Sequence, residues 1–178
     1  MGALTKFEEE KLILGVIYHE KCVLDKALAI LTEKFGEIDD ECEEFSFSRE
    51  FSDYYDGELG GEGRRKIYSF KNTVDPATLS DIKIFTNELE TALSPEGMRV
   101  INLDPGLISH GRVMLATTKK TGFRVPLRDG IYTELTLFYA RGAWQKFPWT
   151  YRDYQSERVQ TFLTRVRKTY LKQRKEKI

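Results

Sequence analysis

Apolar positions change their spacing several times along this chain, and each change marks an element. Residues 11–18 (KLILGVIY) form an unbroken apolar run rich in Ile and Val, which predicts a buried strand. Leu24, Leu28, Leu31 and Phe35 then recur at helical spacing, and Gly36 supplies a stop. Alternation returns over residues 43–48, with Phe45 and Phe47 on one face of a half-buried strand. Residues 49–64 show no period and read as a loop, and residues 66–70 form another short strand. Asp75-Pro76 sets an N-cap acceptor before a proline at the first helical position. Leu79, Ile82, Leu89 and Leu93 line that helix, which ends at Ser94-Pro95 and Gly97. Residues 99–103 are a strand, stopped by Asp104-Pro105-Gly106.

The order is β-α-β-β-α-β, so the fold class expected is α+β with a ferredoxin-like first half. Four further strand candidates follow, at 112–119, 123–127, 131–139 and 143–147. They are joined by Thr121-Gly122, Asp129-Gly130 and Arg141-Gly142, which predicts an antiparallel meander of hairpins. A C-terminal helix spans 156–175, with Val159, Phe162, Leu163, Val166 and Tyr170 as its apolar stripe. Residues 1–178 are expected to make one domain: 1–107 the β-α-β-β-α-β half, 108–155 the meander, and 156–178 a basic helix.

One hairpin can be read to its register. A two-residue loop at Asp129-Gly130 would mix polar and apolar residues on both faces. A three-residue loop, Arg128-Asp129-Gly130, pairs Val125 with Thr133 and Pro126 with Tyr132, and sets Arg124 opposite Glu134. Face separation fixes register, so the second arrangement is expected, with Gly130 left-handed and a cross-strand Arg124–Glu134 pair.

Length and composition fit a globular chain: 178 residues are enough for one sizeable core, and 40% hydrophobic content argues against disorder. The longest apolar run is too short to span a bilayer. Lys6 stands where a myristoylation pattern needs Ser or Thr, and no secretory signal is visible, so a cytoplasmic location without a membrane partner is expected. Cys22 and Cys42 lack any metal or redox spacing and read as reduced thiols. The zero net charge hides an asymmetry. Residues 1–62 carry 17 acidic and 6 basic side chains, whereas residues 63–178 carry 11 and 22. The two halves either neutralise each other in space or leave a basic face for an anion, a nucleotide or RNA.

Asn102 and Asp104 lie two apart near a strand end and project to one side, although Asp-Pro-Gly is also an ordinary turn. Thr117-Thr118-Lys119-Lys120 places hydroxyls beside ammonium groups, a set able to hold a phosphate and equally common at strand edges. The 53–66 segment combines Tyr54 and Tyr55 with four glycines and three successive cations, so it is either a lid or a connector; no standard nucleotide-binding loop is present. His19 and His110 are not paired at ligand spacing, and no metal site is expected. The leading expectation is a small anionic ligand, such as a nucleotide or phosphometabolite, in a polar cleft. Its binding residues would be Tyr54, Tyr55, Asn102, Thr118, Lys119 and Arg124. If a reaction occurs, Asp104 or Glu134 is its acid/base group. No cofactor, reaction or oligomeric state is readable. The alternatives are an RNA-associated module using Arg165, Arg167, Lys168, Lys172, Arg174, Lys175 and Lys177, or a non-enzymatic assembly protein.

Several segments together resemble a prokaryotic family known as domain of unknown function 4416. They are Leu14-Gly15, Asp53-Tyr54-Tyr55 with Gly60, Thr86-Asn87-Glu88-Leu89-Glu90, Asn102-Leu103-Asp104-Pro105-Gly106, Ala116-Thr117-Thr118-Lys119, Gly130-Ile131-Tyr132 with Glu134 and Thr136-Leu137, and Pro148-Trp149-Thr150-Tyr151 with Asp153-Tyr154. Where that family often has a histidine before its arginine, this chain has Phe123 before Arg124. The resemblance implies no established activity.

Overall fold

The structure, a computed structural model, describes residues 2–176. Lys177, counted above among the basic residues of the last helix, lies outside them, as does Met1. Strand β1 (Glu10–Tyr18) leads to helix α1 (Lys21–Phe35), β2 (Ile38–Glu41) and a two-residue β3 (Phe45–Ser46). Two single-turn helices follow, α2 (Phe47–Glu50) and α3 (Asp56–Leu59), then the long β4 (Arg64–Val74) and α4 (Leu79–Leu93). Strands β5 (Ile101–Ile108), β6 (Arg112–Thr117), β7 (Val125–Pro126), β8 (Tyr132–Ala140) and β9 (Ala143–Lys146) precede α5 (Glu157–Glu176). The fold is α+β. One sheet runs β2-β4-β1-β5-β6-β8-β7, with β3 added to β4 and β9 to β8, and the paired strands are antiparallel.

β1 is buried along its whole length because the sheet is covered on both faces. Its even-numbered residues Leu12, Leu14 and Val16 pack with Leu24, Ala27 and Leu31 of α1 and with Ile82 and Leu89 of α4. Ile13, on the opposite face, meets Ile67, Ile108 and Leu137 under Val159, Phe162, Leu163 and Val166 of α5. α1 ends where Gly36, at φ 93, turns the chain and returns its N–H to Thr32. Asp75 caps the 3-10 turn Pro76–Thr78 that runs into α4, its side chain accepting from the Ala77 N–H at 2.9 Å.

Several sequence expectations need correction. The longer strand beside β4 is Ile38–Glu41, and of residues 43–48 only Phe45–Ser46 pair with β4 as strand. Its polar residues hid it: Asp39 is satisfied by Ser69 and Lys11, and Asp40 by Arg165. Phe47 opens a helical turn instead of extending a strand, because Ser46 caps it through the Arg49 N–H. The 49–64 loop is partly structured, pinned as Asp56 and Ser48 receive the Gly63 N–H. Asp104-Pro105-Gly106 does not stop β5, which continues to Ile108. Leu103 N–H points away from β1 to Glu90, so Pro105, two residues on, lacks its donor on that same side, where β6 has not yet joined.

The meander also fails in detail. β6 hydrogen-bonds directly to β8, while β7 and β9 share the other edge of β8. The 128–130 hairpin does adopt the three-residue register, with Val125 opposite Thr133 and Pro126 opposite Tyr132. Asp129 joins Gly130 at positive φ (56 and 77), so the inner turn is of the primed type and Arg128 is the extra residue.

The acidic and basic halves interleave. Arg158 pairs with Glu50, Arg165 with Asp40, Arg174 with Glu8, Lys66 with Glu41 and Lys71 with Glu37. Arg167 lies 3.7 Å over the Tyr139 ring and donates to the His110 carbonyl. The arginines of α5 are thus engaged within the fold, while Lys168, Lys172 and Lys175 stay exposed. No helix among the described residues is long and apolar enough to cross a membrane.

Candidate functional site

β5 pairs with β6 only from Gly106 to Ile108, so the two strands part toward Ile101. Side chains from α4 occupy the open edge: Glu90 receives the Leu103 N–H at 2.6 Å, and Lys83 donates to the Leu103 carbonyl at 2.7 Å. At this split lies a cavity of about 320 Å³, walled by the ends of β5 and β6, by β8, and by the segments bearing Tyr54, Tyr55, Tyr151 and Asp153.

Its floor is Arg65. The side chain is only 4% exposed, with Asp153 at 3.2 Å and Asp104 at 3.4 Å, and the guanidinium lies 5.9 Å from the rings of both Phe47 and Tyr154. Room for it exists because β1 carries Gly15, where a Cβ would lie 2.6 Å from Arg65 Nη2. Burial alone would lower the guanidinium's pKa, yet Asp153, Tyr154 and Asp104 outweigh it and the charge is held more firmly than usual. Asp104 also faces Lys83 at 3.6 Å and accepts from the Asn102 amide at 2.6 Å. Burial would raise the Asp104 carboxyl, but Lys83 and Arg65 prevail and hold it below the ordinary carboxylate range. Asp153 shows the opposite outcome: burial raises its carboxyl despite Arg65.

Glu134 occupies the wall on β8, opposite Leu115 of β6, and is 1% exposed. Arg124 clamps it through an Nε–Oε2 bond of 2.8 Å and donates its other nitrogens to the Lys119 carbonyl and the Tyr151 hydroxyl, each at 2.8 Å. Burial raises the Glu134 carboxyl and Arg124 only partly offsets this. The neighbouring Thr136 hydroxyl also hydrogen-bonds the Glu134 carboxylate, whose Oε1 is shut off from solvent. Burial, followed by the Glu134 charge, pushes the Tyr151 phenol up to about 12. Phe123, Trp149 and Phe147 stack as parallel rings about 5.0 Å apart, tying the segment before β7 to the one carrying Tyr151. That stack fixes the geometry through which Arg124 joins Tyr151 to Glu134.

Arg99, at the wall, is shared between Glu58 at 3.4 Å and Glu90 at 3.2 Å. Lys119 differs from the other cations lining the cavity: its Nζ lies 5.3 Å from the Tyr54 ring and has no carboxylate partner among the described residues.

Of the residues expected from sequence, Tyr54, Tyr55, Asn102, Asp104, Thr118, Lys119 and Glu134 all line this cavity. Arg124 does not line it; it stands behind Glu134 and positions that carboxylate. The sequence reading missed Arg65, Lys83, Asn87, Arg99, Tyr151 and Asp153. Arg65 was hidden in a run of three cations that alternate across β4, with Arg64 directed at Glu44 and Lys66 at Glu41. A glycine inside the apolar β1 was the available signal, since it marks close approach of another group. The cavity carboxylates Asp104, Glu134 and Asp153 are each engaged by a cation, and no group of three metal-ligating side chains gathers among the described residues.

Comparison with curated proteins and with solved structures gave no match. The model of a family described as a domain of unknown function, DUF4416, matches residues 8–170, a span that contains every wall of this cavity, and the chain belongs to that family.

Proposed function

We propose that this is a cytoplasmic protein that binds a small anionic ligand, of the nucleotide or phosphometabolite kind, in the cavity between β5 and β6. The observation that carries the reading is Lys119. It is a cation facing a cavity of about 320 Å³, flanked by Thr117 and Thr118, with a tyrosine ring and, among the described residues, no carboxylate against it. An ammonium beside hydroxyls is a phosphate or carboxylate partner, and a concave, partly apolar space with a few convergent polar groups is the usual form of a ligand site. Tyr54 and Tyr55 supply aromatic surface at its rim. If the ligand is also a substrate, Glu134 is the acid/base group, since its carboxyl is raised, and Asp104 stays ionised beside Lys83.

The strand order β2-β4-β1-β5, with α1 and α4 packed on the same core, supports a ferredoxin-like reading of the first half. On that reading the cavity occupies the edge where the later strands are added. A thermal-shift screen with nucleotides and phosphorylated metabolites tests the proposal, because a ligand that binds only the folded state raises the melting temperature. Stabilisation that disappears in Lys119→Ala is expected. No shift from any anion at millimolar concentration overturns the reading.

A further inference from the structure

We infer that the ligand has two parts: an acidic head held at Lys119 and an uncharged, mostly apolar tail that lies in a groove beside α4. The inference rests on the anion-binding reading above and adds a second compartment to it. That compartment is an open groove of about 520 Å³ between α4 and the turn ahead of β8. Asn87 of α4 and Thr118, just after β6, line both the groove and the cavity. The two spaces therefore share a border, and Lys119 stands one residue from it. Ile84, Asn87 and Thr91 recur at helical spacing, so one stripe of α4 faces the groove. From Ile84 to Thr91 that stripe is about 10 Å long, at the helical rise of about 1.5 Å per residue.

The chemistry of the walls selects the tail. The surface of the groove is mostly apolar, with Ile84 and Ala92 on one side and Gly130 and Ile131 on the other. Thr91 already donates its hydroxyl to the Asn87 carbonyl at 3.0 Å. Among the described residues no cation lines the groove. Its charged groups are carboxylates: Glu88, exposed on α4, and Asp129, which Arg128 engages at 2.8 Å. A second negative group on the ligand would meet like charge there. An aliphatic chain meets surface that gains free energy by leaving water. Apolar walls with a few placed polar groups are the common make-up of ligand sites, and here the polar group that fixes the head is Lys119.

Isothermal titration of the full chain with acids that differ in tail length tests this. The probes are acetate against hexanoate and methyl phosphate against hexyl phosphate, the two heads telling a carboxylate from a phosphate. A hexanoate bearing a terminal amine completes the set. The long member of at least one pair is expected to bind about tenfold or more tightly than the short one. A methylene removed wholly from water is worth about fourfold, and the groove is open on one side. Thr91→Trp fills the groove and should bring the long acid down to the affinity of the short one, with the short one unchanged. Ala92→Trp, also on the exposed flank of α4, gives the same readout if Thr91→Trp does not fold. Lys119→Ala should weaken long and short acids alike. Equal binding of long and short acids overturns the inference while leaving anion binding intact. So does tighter binding of the amine-bearing acid than of hexanoate, or a tail preference that persists in both tryptophan variants. Long-acid binding undiminished by Lys119→Ala, or no binding by any probe, removes the anion reading together with the inference.

Discussion

The face of the sheet that carries α5 is built in two ways along the same strands. Under the helix it is filled by Ile13, Ile67, Ile108 and Leu137 against Phe162 and Leu163. A few residues along β4 and β5 the same face holds Arg65 and Asp104, with Asp153 above them. The apolar end gains free energy from every surface it removes from water. The charged end loses hydration for three ions at once and recovers it only through their mutual attraction, an arrangement that often contributes little net stability. A sheet that can bury isoleucines there has no structural need of an arginine. The charged end therefore reads as a place where composition serves a cavity, in line with the tendency of functional sites to break local packing rules.

The contrast can be broken most forcefully at Arg65. Arg65→Met leaves Asp153 buried without its cation and Asp104 with Lys83 alone, and is expected to cost about 3–5 kcal/mol in chemical denaturation. Neutralising both carboxylates in the same chain, as Asp104→Asn with Asp153→Asn, should recover most of that loss. Failure to recover any would mean that Arg65 acts by filling space. At the other end, Phe162→Ala removes a wholly buried ring and should cost a similar amount, about 3–5 kcal/mol, but by leaving a hole. The two losses separate on acidification: that of Arg65→Met shrinks as the carboxylates protonate, whereas that of Phe162→Ala does not.

Within the charged end, Asp104 and Glu134 should respond to pH in opposite directions. Asp104 is held below its unfolded value, so its stabilisation is present above that value and is lost as the pH falls through the folded one. Glu134 is held above its unfolded value, so the folded state loses stability as the pH rises through the raised one. The stability advantage of the native chain over Asp104→Asn should thus decline toward acid, and that over Glu134→Gln should decline with rising pH. Parallel slopes in urea titrations across pH 3–8, roughly the range over which such groups titrate, would contradict the assignment.

Smaller effects sharpen the comparison. Gly15→Ala pushes a methyl group into the Arg65 guanidinium and is expected to cost about 1–3 kcal/mol, as overpacking does. Lys119→Ala removes an exposed cation whose contact is a tyrosine ring, so its stability should stay within about 0.5 kcal/mol of native. The same substitution should abolish ligand-induced stabilisation. The residue of least weight in the fold is then the one of greatest weight in binding, and a ligand shift that survives Lys119→Ala would refute that division.

Periodicity and capping determined much of this protein without its coordinates. The apolar run of β1, the stripes of α1, α4 and α5, the cap at Asp75 and the hairpin register at 128–130 follow from local rules in which each residue's fate depends on near neighbours. For the same reason a minority of the residues lining the cavity were legible, since strand ends and turns bring polar side chains to one side. Tertiary structure alone decided that β6 joins β8, that Asp104-Pro105-Gly106 runs on as strand, and that Arg65 lies beneath Gly15 between two distant carboxylates. Those facts depend on groups far apart along the chain. An ion's burial is set by the partners that meet it in space, and no spacing within the sequence records where they are.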